Sequence, residues 1–287
     1  MNSKLNKFSK NYTSQHGEDG ILEYIISKIP NIPQICVEFG AWDGKFLSNT
    51  YTLWHDKNWQ GILIEGDKEK CEMLKKEYLG KYEITVYNQL VTPRGKTSID
   101  ALFKNQNLIP QIGVMSIDID SDDYYVWKYL EYVKPYIVII EHNYSIPGYI
   151  EYVDPEDEVF MRCSAKSLEK LGDEKSYKLI CCTLSNSIFI KQSLFNDLDF
   201  PDKPVEYLFN YSQCQTPILT ASQVPVNNLI PVYYGLPQRS VRISLLIERF
   251  FKSIVSKNKS LKKPGSKLID HCRKYGIYIE TFRKSFK

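Results

Sequence analysis

The sequence contains no G-x-G-x-x-G fingerprint, no Cys-x-x-Cys pair and no long apolar run. The first absence removes the usual glycine signature of a dinucleotide-binding turn. The second, with seven cysteines scattered and odd in number, argues against a disulfide framework or a structural zinc site. It predicts reduced thiols and a cytoplasmic setting. Apolar stretches such as 136–140 and 243–247 are far too short to span a bilayer. The opening residues, Met1 to Gln15, are polar and show no charged-then-apolar leader.

What is present is an ordinary globular composition, 43% hydrophobic and 25% charged over 287 residues, enough for a full core. The net charge of +3 conceals an asymmetry. From Arg239 to Lys287 there are 14 Lys and Arg against 3 Asp and Glu, or +11, which leaves about −8 for the rest. An acidic body therefore carries a basic tail.

Hydrophobic periodicity gives alternating elements. Helices are expected at 18–29, 47–56, 68–78, 122–133 and 164–171, and strands at 35–39, 61–64, 84–88, 112–119 and 137–141. Two late strands at 178–183 and 187–191 read as an antiparallel pair. Such alternation implies a parallel sheet covered by helices on both faces, with ligands outside the carboxyl ends of the strands. Residues 195–237 are broken by prolines and read as an irregular segment packed on the body. Residues 238–256 read as a basic amphipathic helix. The expected division is 1–194 for the α/β domain and 195–287 for the extension.

The chemistry gathers at strand ends. Val37-Glu38-Phe39-Gly40-Ala41-Trp42-Asp43-Gly44 runs from a strand into a glycine-containing turn. Leu63-Ile64-Glu65-Gly66-Asp67 ends the next strand on carboxylates. Glycine permits close backbone approach to a ligand, and an acid about 20 residues on can accept from both hydroxyls of a ribose. An adenosine-containing cofactor is the expectation. Lys45-Phe46-Leu47 follows where a pyrophosphate site would want glycine, which favours S-adenosylmethionine over NAD.

Ser14-Gln15-His16-Gly17-Glu18-Asp19, the 37–44 turn, Leu47-Ser48-Asn49-Thr50 and the 63–67 strand end, in that order, resemble the FkbM-type class I S-adenosylmethionine-dependent methyltransferases. The likeness covers about residues 12–192. It implies an α/β, Rossmann-like seven-stranded class I methyltransferase sheet, closed by the late hairpin and followed by a basic helical C-terminal extension. It places Glu38, Gly40, Asp43, Gly44, Asn49, Glu65 and Asp118 around the cofactor, with Glu65 on the ribose and Asn49 at the amino-acid end. It further implies saccharide or secondary-metabolite acceptors, such as a surface-glycan precursor. Where FkbM-type chains show an S-I-D-V-E-G pattern, this one has Ser116-Ile117-Asp118-Ile119-Asp120-Ser121, a departure that raises the acidic density.

Glu141-His142-Asn143 ends the fifth strand. Cation-dependent O-methyltransferases place an acid after strand four and an acidic or amide pair after strand five around a divalent ion, and this chain is similar. The expected ligands are Asp118, Glu141, His142 and Asn143, the imidazole tilting preference from Mg2+ toward Mn2+. Asp120 is then the expected general base, with His142 the other candidate. The basic tail could lie on a membrane surface, dock on the body or meet a second subunit; a nucleic-acid partner is not expected, since no recognition motif accompanies the charge. The resulting expectation is a metal-assisted O-methyltransferase for a small polar or saccharide acceptor. Its rivals are a nicotinamide-dependent oxidoreductase and a non-catalytic membrane-associated protein.

Overall fold

The computed structural model describes residues 4–211, except 121, 157, 159, 197, 199 and 201. The basic extension, with its expected helix at 238–256, lies outside the described residues.

A short 3-10 turn, Lys4–Phe8, precedes helix α1 (Glu18–Lys28) and strand β1 (Ile35–Phe39). Then come α2 (Tyr51–Asp56), β2 (Gln60–Glu65), α3 (Lys68–Tyr78), β3 (Ile84–Asn88), α4 (Ile99–Asn105), β4 (Gln111–Ile117) and α5 (Asp123–Tyr129). The chain continues through β5 (Lys134–Glu141), α6 (Ala165–Glu174), β6 (Tyr177–Cys182), β7 (Asn186–Lys191), α7 (Gln192–Phe195) and α8 (Val205–Leu208). The seven strands form one sheet in the order β3-β2-β1-β4-β5-β7-β6. β1 to β5 pair in parallel, whereas β7 is antiparallel to both β5 and β6.

Period-2 alternation divides the core between the two faces. On β5, Val138 and Ile140 pack with Leu102, Phe103, Trp127, Leu168 and Leu171 on one face. Ile137 and Ile139 pack with Ile21, Ile25, Trp54 and Leu74 on the other. Asp67 caps α3 by accepting from the Lys70 N–H at 3.1 Å, and Ser98 and Ser164 cap α4 and α6 in the same way. The segment after β7 belongs to this body, because Val205, Leu208 and Phe209 are buried in its core. No helix among the described residues is long and apolar enough to cross a membrane.

The expected helix at 47–56 begins only at Tyr51. The reason lies in β1: the Glu38 carboxylate accepts from the Ser48 hydroxyl at 2.5 Å, the Asn49 N–H at 2.8 Å and the Thr50 hydroxyl at 2.8 Å. Those contacts hold 48–50 as a turn before the helix starts.

Candidate functional site at the carboxyl rim of the sheet

β1, β2, β4 and β5 end on the same edge, and of the acids there Asp118, Asp120 and Glu141 converge. The turn after β1 is shaped by glycine. Gly40 has φ of +74°, and a Cβ at that position would lie 1.9 Å from the carbonyl oxygen of Asp118. Only glycine allows the β1 turn to lie flush against the end of β4. Trp42 and Gly44 are also left-handed, and the Asp43 carboxylate accepts from the Lys45 and Phe46 N–H groups at 2.9 and 2.7 Å. Asp43 thus stiffens the turn from within.

Glu65, buried at the end of β2, accepts from the Trp42 N–H at 2.7 Å through one oxygen and from the Asp67 N–H at 2.7 Å through the other. Each carboxylate oxygen keeps further acceptor capacity. Asn49 is buried and donates to the Ser116 hydroxyl at 3.1 Å, tying the 48–50 turn to β4. Burial pushes the Glu38 carboxyl up, against its three donors. Its carboxylate is engaged within the fold, so its part in any cofactor site is to position the neighbouring turns.

Asp118, half-buried just past β4, has its carboxyl pushed up to about 8, first by burial and then by the carboxylates of Asp123 and Asp120. Asp123 accepts from the Ile119 N–H at 2.8 Å, while its second oxygen is buried without a hydrogen-bond partner.

Asp118, Asp120 and Glu141 each bring a carboxylate oxygen within 4.8 Å of the others. Arg162 stands against them, its guanidinium paired with Glu141 and, at 2.6 Å, with Asp120. The loop that presents it is tightly built. Val153 and Cys163 form an antiparallel bridge, and the Asp154 carboxylate gathers the N–H groups of Phe160, Met161 and Arg162 together with the Tyr152 hydroxyl. Arg162 itself is left-handed, with φ of +62°.

The expected ligand set is accordingly corrected. Successive residues at a strand end point to opposite faces, so Glu141 and His142 cannot both face Asp118. His142 turns into the interior beside Phe209, its Nδ1 3.0 Å from the Ser187 hydroxyl and its Nε2 unpartnered. Burial pushes its imidazole down to about 3, which makes it a poor base as well as a poor ligand at this rim. Asn143 accepts from the Ser145 N–H and hydroxyl and donates to the Met161 carbonyl, so its amide organises the loop. Asp120 is exposed and paired with Arg162. Of the four expected ligands, Asp118 and Glu141 converge, joined by Asp120, whereas His142 and Asn143 do not; the cation beside these acids is the Arg162 guanidinium.

Arg162 carries no signal in the sequence: it lies 21 residues beyond Glu141, in a loop of mixed composition. The buried pair at the start of α1 also has a clear role. Asp19 accepts from the N–H groups of Tyr12, Thr13 and Ser14 at 2.7–2.8 Å, and Glu18 accepts from Thr183, Asn186 and the His16 N–H. Thr13 donates to the Ser48 carbonyl at 3.1 Å, which draws this segment toward the rim.

The strand order with an antiparallel β7 decides the fold. The sheet is that of the class I methyltransferases. No protein-family model matches the sequence, and no curated protein matches it. Among solved structures, the chain is similar to the methyltransferase domain of a citrinin polyketide synthase, at 12% identity and a TM-score of 0.42, over 60% of this chain and 50% of that one. It is similar to the CurJ carbon methyltransferase at 10% identity and a TM-score of 0.43, over 60% and 52%. The chain thus spans about half the length of these two. A third is CalS10, an amino pentose methyltransferase from Micromonospora echinaspora with S-adenosylmethionine bound, at 6% identity and a TM-score of 0.39, over 61% and 89%.

Proposed function

We propose that this chain is an S-adenosylmethionine-dependent O-methyltransferase that acts on a small polar or saccharide-type acceptor. The observation that carries the reading is the junction of β1 and β2. A glycine-shaped turn lies flush on β4, and its middle is fastened to the buried Glu65 carboxylate, whose oxygens each keep further acceptor capacity. That is the arrangement an adenosyl ribose requires. No third glycine opens a helix here to receive a pyrophosphate, which disfavours the nicotinamide alternative.

A bound S-adenosylmethionine would supply a methyl group already activated as a sulfonium. The residues of this chain then have two tasks. The first is alignment: Glu65 holds the ribose hydroxyls, while Glu38, Asn49 and Asp43 keep the surrounding turns in place. The second is proton removal from the acceptor hydroxyl. Asp118 is the group for it, in place of Asp120 and His142, because its carboxyl sits near neutrality at the end of β4. Arg162 balances Asp120 and Glu141 on the same edge. No step in this reading passes through a metal ion.

A thermal-shift comparison tests the assignment. S-Adenosylhomocysteine should raise the melting temperature in a concentration-dependent manner and NAD should not. The reverse pattern would reject it.

A further inference from the structure

A concavity lies farther along the same rim, over the turn that joins β6 to β7. It encloses about 480 Å3, within the roughly 300–1,000 Å3 typical of small-molecule sites. Lys10, Asn11, Gln15 and His16 form one wall, Thr183 and Asn210 part of the others. We propose that this cavity binds the distal end of an extended acceptor, a polyhydroxylated group that carries one anionic substituent. The proposal deepens the methyltransferase reading and rests on it only for calling the ligand an acceptor.

The walls are fixed before any ligand arrives. Gly17 has φ of +96°, and a Cβ there would sit 2.0 Å from the Ser9 hydroxyl oxygen, so the segment before α1 folds back directly on itself. The two acids nearby are turned inward. One oxygen of Asp19 accepts from three backbone N–H groups while the other is buried without a hydrogen-bond partner, and Glu18 accepts from Thr183, Asn186 and the His16 N–H. Their charges hold the wall together and do not line the cavity.

The cavity is lined by carboxamides, two hydroxyls, an imidazole and a lysine, with no carboxylate and no Phe, Tyr or Trp side chain among the described residues that line it. The amides of Asn6 and Asn11 already donate to the Cys182 and Gln15 carbonyls, and each keeps a second N–H, which with the Gln15 amide suits an array of hydroxyls. Lys10 supplies a formal positive charge that no lining acid opposes. A single aliphatic lining residue, Leu184, disfavours a lipid chain. His16 is fixed through Nδ1, 3.0 Å from the Ser185 hydroxyl, and burial lowers its basicity, so it meets the ligand as a neutral ring. Position agrees with this role. Strands lie about 4.8 Å apart, and β4, β5 and β7 separate β1 from β6, so the cavity is roughly 15–20 Å from the adenosyl site. An acceptor that reaches both must be extended.

The chain has four histidines, so the imidazole resonances of His16 and His55 can be followed separately by NMR in the full-length protein. Titration with glucose 1-phosphate or glucuronate should move the His16 resonance saturably and leave that of His55 in place. Glucose and inorganic phosphate should each bind at least about tenfold more weakly, a difference of about 1.4 kcal/mol. Lys10→Ala should weaken the two anionic sugars by a similar factor and leave glucose unaffected; Gln15→Ala should weaken all three sugars. No movement of His16 with any probe would overturn the proposal, as would inorganic phosphate matching the sugar phosphate. S-Adenosylhomocysteine binding to the same samples separates the two readings. If it persists while His16 is silent, the subsite fails and the methyltransferase stands. If it is absent while His16 responds, the cavity stands and its ligand is no methyl acceptor.

Discussion

The buried Glu65 carboxylate at the end of β2 accepts the backbone N–H of Trp42 at 2.7 Å, in the middle of the turn that follows β1. Trp42 is held in a left-handed conformation, φ +48°, that a bulky residue rarely adopts. One carboxylate therefore fixes the shape of the neighbouring strand's turn from the β2 side. The structural role of Glu65 and the ribose-binding role proposed for it fall on a single side chain, and their consequences can be separated experimentally.

Glu38 is the structural counterpart. Three donors from consecutive residues, Ser48, Asn49 and Thr50, converge on its carboxylate, and all four residues are buried. Glu38→Ala would strand those donors in the interior. Chemical denaturation should show a loss of at least about 2 kcal/mol, since each buried unsatisfied group costs about 1–3 kcal/mol. An unchanged midpoint would mean that water reaches the three donors and that the turn does not depend on β1.

The fold was legible because its periodicities are clean. Apolar β5 and the charged helix α3 declare their types, and α3 runs over the expected residues, Lys68–Tyr78. The short helix α4, Ile99–Asn105, escaped notice, because seven residues give less than two turns of pattern after a polar loop. Site geometry was harder to foresee. Composition brings acids to the strand ends, but alternation decides which of them share a face, and that separated Glu141 from His142. Arg162 was hidden for a different reason: its placement comes from Asp154 collecting three N–H groups across a loop, a contact with no periodic signature.

Asp118 should make stability depend on pH. Its carboxyl is raised in the folded state from the ordinary value near 3.8 to about 8. The folded protein thus holds a proton that the unfolded chain releases, and the associated stability is complete below about pH 4 and lost as pH rises through about 8. Asp118→Asn, which cannot ionise, should raise the melting temperature at pH 8 by at least about 2–4 °C and change it little at pH 4. Equal effects at both values would show that Asp118 ionises freely. The same substitution should abolish methyl transfer, as a proton acceptor is lost.

Arg162 and the acids that face it give a test of the metal question. Arg162→Ala leaves Glu141, largely buried, without its guanidinium. Removing one partner of such a pair should destabilise by about 1–3 kcal/mol, and the double variant Arg162→Ala/Glu141→Ala should recover part of the loss. Wild-type protein treated with EDTA, or supplied with Mn2+, should melt at the same temperature. A melting temperature that rises with Mn2+ and falls with chelator would establish an ion among Asp118, Asp120 and Glu141, with Arg162 displaced.

The central claim, that the β1 turn and Glu65 together hold an adenosyl ribose, is tested most directly by calorimetric titration of S-adenosylhomocysteine into wild-type protein and Glu65→Ala. Saturable one-to-one binding by the wild type is expected, weakened in the variant by at least about tenfold, since hydrogen bonds to a charged group contribute about 1.5–3 kcal/mol. Circular dichroism of the two proteins should remain superimposable. Absence of binding to the wild type, or equal binding by both proteins, would contradict it.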